Sequence, residues 1–187
     1  MKYKVGVFGS AEGDFEKIVA KAREVGEILA QKKVIVATGA STGIPYEVAR
    51  AAYEHGSEIW GFSPAVDLTS QKRQMPGVAS DIFSKFIYVP KTYEFASDPE
   101  VCKKYRNVTS TATVDAGIII SGRWGTMNEF TNLFDMGKII GVLTGTGGIA
   151  DGLEELLKKI NKPSKAKIVF DKDPGSLIEK VIERLHA

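Results

Sequence analysis

The sequence predicts an α/β protein in which a sheet of parallel strands is covered by helices on both faces. Short β-rich runs alternate with amphipathic helical patterns along the whole chain, the order expected of strands joined by crossover helices. The ends of four of these runs also share one chemistry, a glycine beside a small hydroxyl residue, as turns at the carboxyl edge of such a sheet require.

Seven strands are read at Lys4 to Gly9, Lys33 to Thr38, Glu58 to Ser63, Lys85 to Val89, Ala116 to Ser121, Lys138 to Thr144 and Ala166 to Phe170. Helices fill most of the gaps, and two have explicit starts. Asp98-Pro99 and Asp173-Pro174 each place a capping carboxylate before a proline, whose fixed φ and missing N–H suit the first helical position. Pro64 to Ser80 follows neither period and is read as a long loop. No internal repeat, low-complexity segment or linker interrupts the pattern. The expectation is therefore one Rossmann-like unit over residues 1–187, a three-layer α/β/α fold with a mainly parallel sheet of about seven strands.

Composition narrows the function classes. The chain has 187 residues, 43% hydrophobic and 26% charged, enough for one substantial core. Its 25 Lys and Arg are balanced by 23 Asp and Glu, and the basic residues are scattered, so no nucleic-acid partner is expected. Cys102 is the lone cysteine and His55 and His186 are the only histidines, so neither an intramolecular disulfide nor a zinc set is expected. No apolar stretch approaches the roughly 20 residues needed to span a bilayer. A cytoplasmic protein without membrane association is the expectation.

The four strand ends are FGS at Phe8 to Ser10, ATGAST at Ala37 to Thr42, SGRWGT at Ser121 to Thr126 and LTGTGG at Leu143 to Gly148. Glycine lets backbone N–H groups approach an anion, and helix N-termini add donors and partial positive charge, so this edge suits phosphate. The binding residues expected are Gly9 and Ser10; Gly39, Ser41 and Thr42; and Gly122, Arg123, Gly125 and Thr126. Standard nucleotide signatures are missing: GSAEG lacks the spacing G-x-G-x-x-G, and Gly137-Lys138 has no upstream glycine loop. Nothing singles out a lysine for pyridoxal phosphate, and no cofactor is expected.

Two polar features lie beside these turns. On the helix that starts at Asp98, Val101, Tyr105, Val108 and Ala112 have core spacing, while Arg106, Thr109, Ser110 and Thr113 form a second stripe, read either as facing a polar cleft or as a solvated arginine beside hydroxyls that pack closely against another helix. Downstream, Thr126-x-x-Glu129 has the spacing of a capping box, and the same glutamate would also be aimed at a ligand in the turn before it. Both readings of each feature stand at this point.

The segment from Arg106 to Glu129 resembles the LOG ("lonely guy") family, whose members are often mislabelled lysine decarboxylases. SGRWGTMNE at Ser121 to Glu129 is similar to that family's PGGxGTxxE, and Arg106 stands where the arginine of its RKxxM element falls. VFGSAEG and TGASTGIPYEVARAA resemble its first turn and its GGGxxGLMGAVADAA, and the likeness spans roughly residues 4 to 140. The resemblance implies a phosphate-binding glycine loop, cleavage of the N-glycosidic bond of a nucleoside 5′-monophosphate by Arg106 and Glu129, and a homodimer or larger assembly. Ser121, Arg123 and the GIPY at Gly43 to Tyr46 depart from the family's pattern. Arg123 in place of glycine suits a larger polyphosphate or a pterin, or fills the phosphate position itself, and the LOG-like group includes molybdenum cofactor carriers that bind without catalysing. A hydrolase and a binding protein are the two readings of the resemblance.

Overall fold

The computed structural model describes residues 2–11 and 16–187. Seven parallel strands form one sheet in the order β4-β3-β2-β1-β5-β6-β7. They are β1 (Lys4–Gly9), β2 (Ile35–Thr38), β3 (Ile59–Phe62), β4 (Lys85–Ile87), β5 (Ala116–Ile120), β6 (Ile139–Leu143) and β7 (Lys167–Asp171). Each expected strand is found: β1 has the expected bounds, β7 is shifted one residue later, and the others are shortened at one or both ends. β5, AGIII, is buried throughout, as a central strand covered on both faces must be.

The helices are α1 (Glu16–Gln31), α2 (Ile44–Glu54), α3 (Leu68–Gln74), α4 (Pro99–Thr113), α5 (Trp124–Asp135), α6 (Leu153–Lys159) and α7 (Pro174–His186). Two apolar clusters divide them into layers. Ala22, Val25 and Leu29 of α1, Ile44 and Val48 of α2, and Leu177 and Val181 of α7 cover one face of the sheet. Phe130 and Leu133 of α5 and Leu153 of α6 cover the other, where α4 packs on α5. The strand order turns in both directions from β1, so the β1 and β5 carboxyl ends flank the switch point at which α/β sheets open a crevice.

The two expected caps are present. Asp98 accepts from the N–H of Glu100 at 3.0 Å and of Val101 at 3.2 Å, and Asp173 accepts from Ser176 at 2.7 Å. Two other expectations are corrected. The stretch read as a loop contains α3, whose Asp67 accepts from the Ser70 N–H at 2.9 Å, and a 3-10 turn at Ser80–Ile82. A seven-residue helix is too short to reveal its period. The face of α4 assigned to the core is also wrong: Val108 is 46% exposed and Ala112 is exposed, while Cys102, Asn107, Ser110 and Thr111 are buried. Small and polar side chains let α4 approach α5 closely, and their hydroxyls are satisfied by the helix itself, as when Thr111 donates to Asn107 O at 2.7 Å.

Asp98 thus caps the helix that carries Arg106. Asp98→Ala is expected to lower stability by about 1 kcal/mol, read from the urea midpoint at constant slope; an unchanged midpoint would show that the cap contributes nothing.

Candidate functional site

A cavity of about 370 Å³ opens at the carboxyl edge of the sheet, over the ends of β1 and β2 and beside the start of α5. Gly9 and Ser10 line it from β1, Gly39, Ser41 and Thr42 from the turn after β2, and Arg123, Gly125 and Thr126 from the turn into α5. Arg106 of α4 and Glu129 of α5 line it as well. These residues, dispersed over 120 positions in the chain, meet because three crossovers deliver them to one edge. Gly122 does not line the cavity, and Glu12 and Gly13 of the GSAEG turn lie outside the described residues.

The turns are shaped by backbone constraints. Gly43 has φ 90°, and a Cβ there would lie 2.4 Å from Ser10 O, so the turn after β2 can lie against the turn after β1 only with glycine. Ile44 N donates to that same carbonyl at 3.0 Å, and Thr42 Oγ1 to Ala11 O at 3.3 Å. At the third turn Ser121 and Gly122 are both left-handed, with φ 55° and 103°.

The helix that follows corrects the capping-box expectation. Arg123 is the residue before α5, its carbonyl accepts the Met127 N–H at 2.9 Å, and among the described residues no side-chain capping bond is made at this end. Thr126 and Glu129 lie in the first and second turns of the helix, both buried, so Thr126 is not the cap and Glu129 is not reaching back to one. The first-turn N–H groups of Trp124, Gly125 and Thr126 have no carbonyl a turn earlier in the helix, and a Cβ at Gly125 would meet none of the described residues within 4 Å. This uncapped end beside open space is the anion-suited part of the cavity.

The fourth turn is a support instead of a wall. Ile149 N donates to Gly122 O at 2.9 Å, Ala150 N to Ser121 O at 3.2 Å, and Ser121 N to Thr146 Oγ1 at 2.9 Å. Its own amides are taken by Asp151, which accepts from Gly145 N at 2.6 Å and Gly147 N at 2.9 Å. Gly122 belongs to this buttress: a Cβ on it would fall 2.6 Å from the Thr126 side chain.

Arg106 and Glu129 form the charged floor. Arg106 Nη1 donates to Gly39 O at 2.9 Å, and its Nε is buried without a partner among the described residues. A Cβ on residue 39 would stand 1.7 Å from Nη1, so the guanidinium occupies the space a side chain would need. Burial pushes the Glu129 carboxyl up to about 7, while the charges of Arg106 and Lys104 hold it from rising further. Burial likewise pulls Arg106 below its ordinary value, opposed by Glu129, and leaves it cationic. Asn107 fixes the spacing of the two helices, donating to Asn128 Oδ1 at 3.1 Å.

Sequence reasoning missed Lys103, Asn107, Pro64 and Met75, which also line the cavity. Lys103 and Asn107 share the Arg106 face of α4, a signal available from helical spacing; Pro64 and Met75 sit on the segment taken as a loop. Thr109 and Thr113 of the expected cleft stripe instead donate back to Tyr105 O and Thr109 O.

Because the Glu129 carboxyl titrates near 7 in the folded chain and near 4.5 without its surroundings, its contribution to stability is complete below about 4.5 and is lost as pH rises through about 7. Wild-type stability should therefore fall relative to Glu129→Gln across that window, measured as urea midpoints at matched pH. Parallel profiles would mean that the carboxylate is not held in a low-polarity site.

Solved structures share this architecture. That of TM1055 is 21% identical with a TM-score of 0.76, over 98% of this chain and 99% of that one. The molybdenum cofactor binding protein of Rippkaea orientalis is 16% identical with a TM-score of 0.69, over 100% and 99%. DNA processing protein A of Helicobacter pylori, described by its single-stranded DNA binding mode, is 15% identical with a TM-score of 0.64, over 97% and 81%. That neighbour corrects the expectation of no nucleic-acid partner. Scattered charge in the sequence was its basis, yet folding brings Lys103, Arg106 and Arg123 to one cavity. No curated protein matches the chain by sequence. Among the described residues no helix is long and apolar enough to cross a membrane. The sequence model of the SLOG cluster4 family, a LOG-like family, matches residues 2–178, and the chain belongs to that family.

Proposed function

We propose that the cavity binds a nucleoside 5′-monophosphate and hydrolyses its N-glycosidic bond to free base and ribose 5-phosphate. The observation that carries this reading is the Arg106 and Glu129 floor: a buried carboxyl with a pKa of about 7, beside an arginine, in the cavity that the uncapped end of α5 adjoins. A capping role no longer accounts for Glu129, and its burial is costly, offset by the charge of Arg106.

In this reading the phosphate rests on the first-turn amides of α5 with Arg123 beside it, which directs the ribose towards Glu129. As the bond from C1′ to the base nitrogen breaks, its electron pair leaves with the base, which takes a proton from solvent. Positive charge develops on the ribose, and water adds to C1′ while passing its proton to the Glu129 carboxylate. Arg106, anchored on Gly39 O, keeps that carboxylate available near neutral pH. The resemblance of SGRWGTMNE to one LOG motif and of the Arg106 position to the arginine of its RKxxM element assigns the same two residues.

A second reading is favoured by one observation. Arg123 lines the cavity where the LOG motif has glycine, and an added cation suits a larger anionic ligand that is carried and not cleaved. The described binding of molybdenum cofactor by the Rippkaea neighbour fits this reading.

Incubation of the protein with the common nucleoside monophosphates separates the two. Release of base is expected, with kcat/KM rising as pH increases through about 7, since the ionised carboxylate is the active form. Glu129→Gln should bind AMP near normally in calorimetry and lose about a hundredfold or more in turnover. Full turnover in that variant would refute the mechanism, and no base from any monophosphate would leave the carrier reading.

A further inference from the structure

Gln71 lies on α3, in the stretch that the sequence presents as a loop, and is 1% exposed. A buried amide has four hydrogen-bonding positions to satisfy, so where it points is informative. Its Nε2 donates to Ala40 O at 2.8 Å and its Oε1 accepts from Ser63 Oγ at 2.5 Å. The orientation is determined. Ala40 O can only accept, so the amide nitrogen faces it and Oε1 takes the Ser63 hydroxyl proton, while the oxygen of that hydroxyl accepts the Ala65 N–H at 2.9 Å.

Ala40 is left-handed, with φ 49°, a conformation a residue with a side chain holds only when its surroundings impose it. The two carbonyls on either side of that strained residue do different work. Gly39 O receives Arg106 Nη1 at 2.9 Å, and Ala40 O receives Gln71. Fixing the second carbonyl fixes the rotation about Ala40, and with it the direction in which the first one points.

We propose that Gln71 is a positioning residue, which through Ser63 on one side and Ala40 on the other orients the Gly39 carbonyl that holds Arg106 at the cavity floor. The proposal deepens the reading of Arg106 and Glu129 as the working pair. It extends the site to the end of β3 and to α3, neither of which supplies a charge to the cavity. A merely structural Gln71 would tie α3 to the sheet edge, and its loss would lower stability without moving Arg106.

The distinguishing readout is the titration of Glu129, which senses the Arg106 charge. Carbon-13 NMR of the side-chain carboxyl in the full-length protein needs no substrate, so its outcome does not depend on whether the protein is a hydrolase. In Gln71→Met, which keeps the volume and removes both hydrogen bonds, the Glu129 midpoint should move upward by roughly half a pH unit or more as Arg106 loosens. Ser63→Ala, which frees the amide to rotate, should shift it in the same direction by less. Gln74→Met, the same change at an exposed position of α3, should leave it in place. An unmoved Glu129 midpoint in folded Gln71→Met overturns the proposal. Should that variant fail to fold, Ser63→Ala decides in the same way. Base release from the common nucleoside monophosphates is measured on the same proteins: a wild type that releases none refutes the hydrolase reading, while the titration still decides the role of Gln71.

Discussion

The site depends on a single hydrogen bond, from the Arg106 guanidinium to the carbonyl of a residue that has no side chain. Gly39 leaves the volume that Arg106 enters, and its carbonyl supplies the acceptor that makes burial of the cation tolerable. Glu129 supplies the opposite charge. Neither group would be stable at this depth alone, since an unpaired buried charge costs several kcal/mol. Together they leave a carboxyl pushed up to about 7, set by burial and restrained by the neighbouring cation.

The sheet topology makes that arrangement possible. β1 and β5 are adjacent although more than 100 residues separate them, and their register places Gly9 beside Ile120. The turn after β1 and the turn into α5 therefore face each other, and the turn after β2 closes against the first through Gly43. The turn after β6 offers the same glycine and hydroxyl chemistry but is folded onto the chain behind the α5 turn. Asp151 fills it with a carboxylate of the protein's own. Similar local sequences thus serve as wall in three places and as foundation in the fourth.

The fold was legible because its signals are local and repeated. Strand runs such as AGIII and the Asp-Pro helix starts need no tertiary information to be read. The convergence of Arg106 with the glycine turns was legible through motif spacing, which records a geometry that periodicity alone does not contain. Other features depended on tertiary contacts. Whether Thr126 and Glu129 form a cap is decided by where α5 begins, and the left-handed Ser121 and Gly122 set that start earlier than the spacing suggests. The buried face of α4 is built from Asn107, Ser110 and Thr111 because α5 lies close, and apolar periodicity marks the opposite side. Gln71 carried no signal at all, since a buried glutamine in a seven-residue helix looks like any surface residue in sequence.

In the proposed function, Arg106 acts from a place that exists only while residue 39 is glycine. The most direct test of that dependence is calorimetry of AMP binding to Gly39→Ala, with circular dichroism to establish that the fold is native. The added Cβ meets only the end of a flexible side chain, so the protein should fold and Arg106 should be displaced. Affinity is then predicted to fall about tenfold or more relative to wild type. Wild-type affinity in a folded Gly39→Ala would contradict the account, because the ligand would then not depend on Arg106 being where Gly39 holds it.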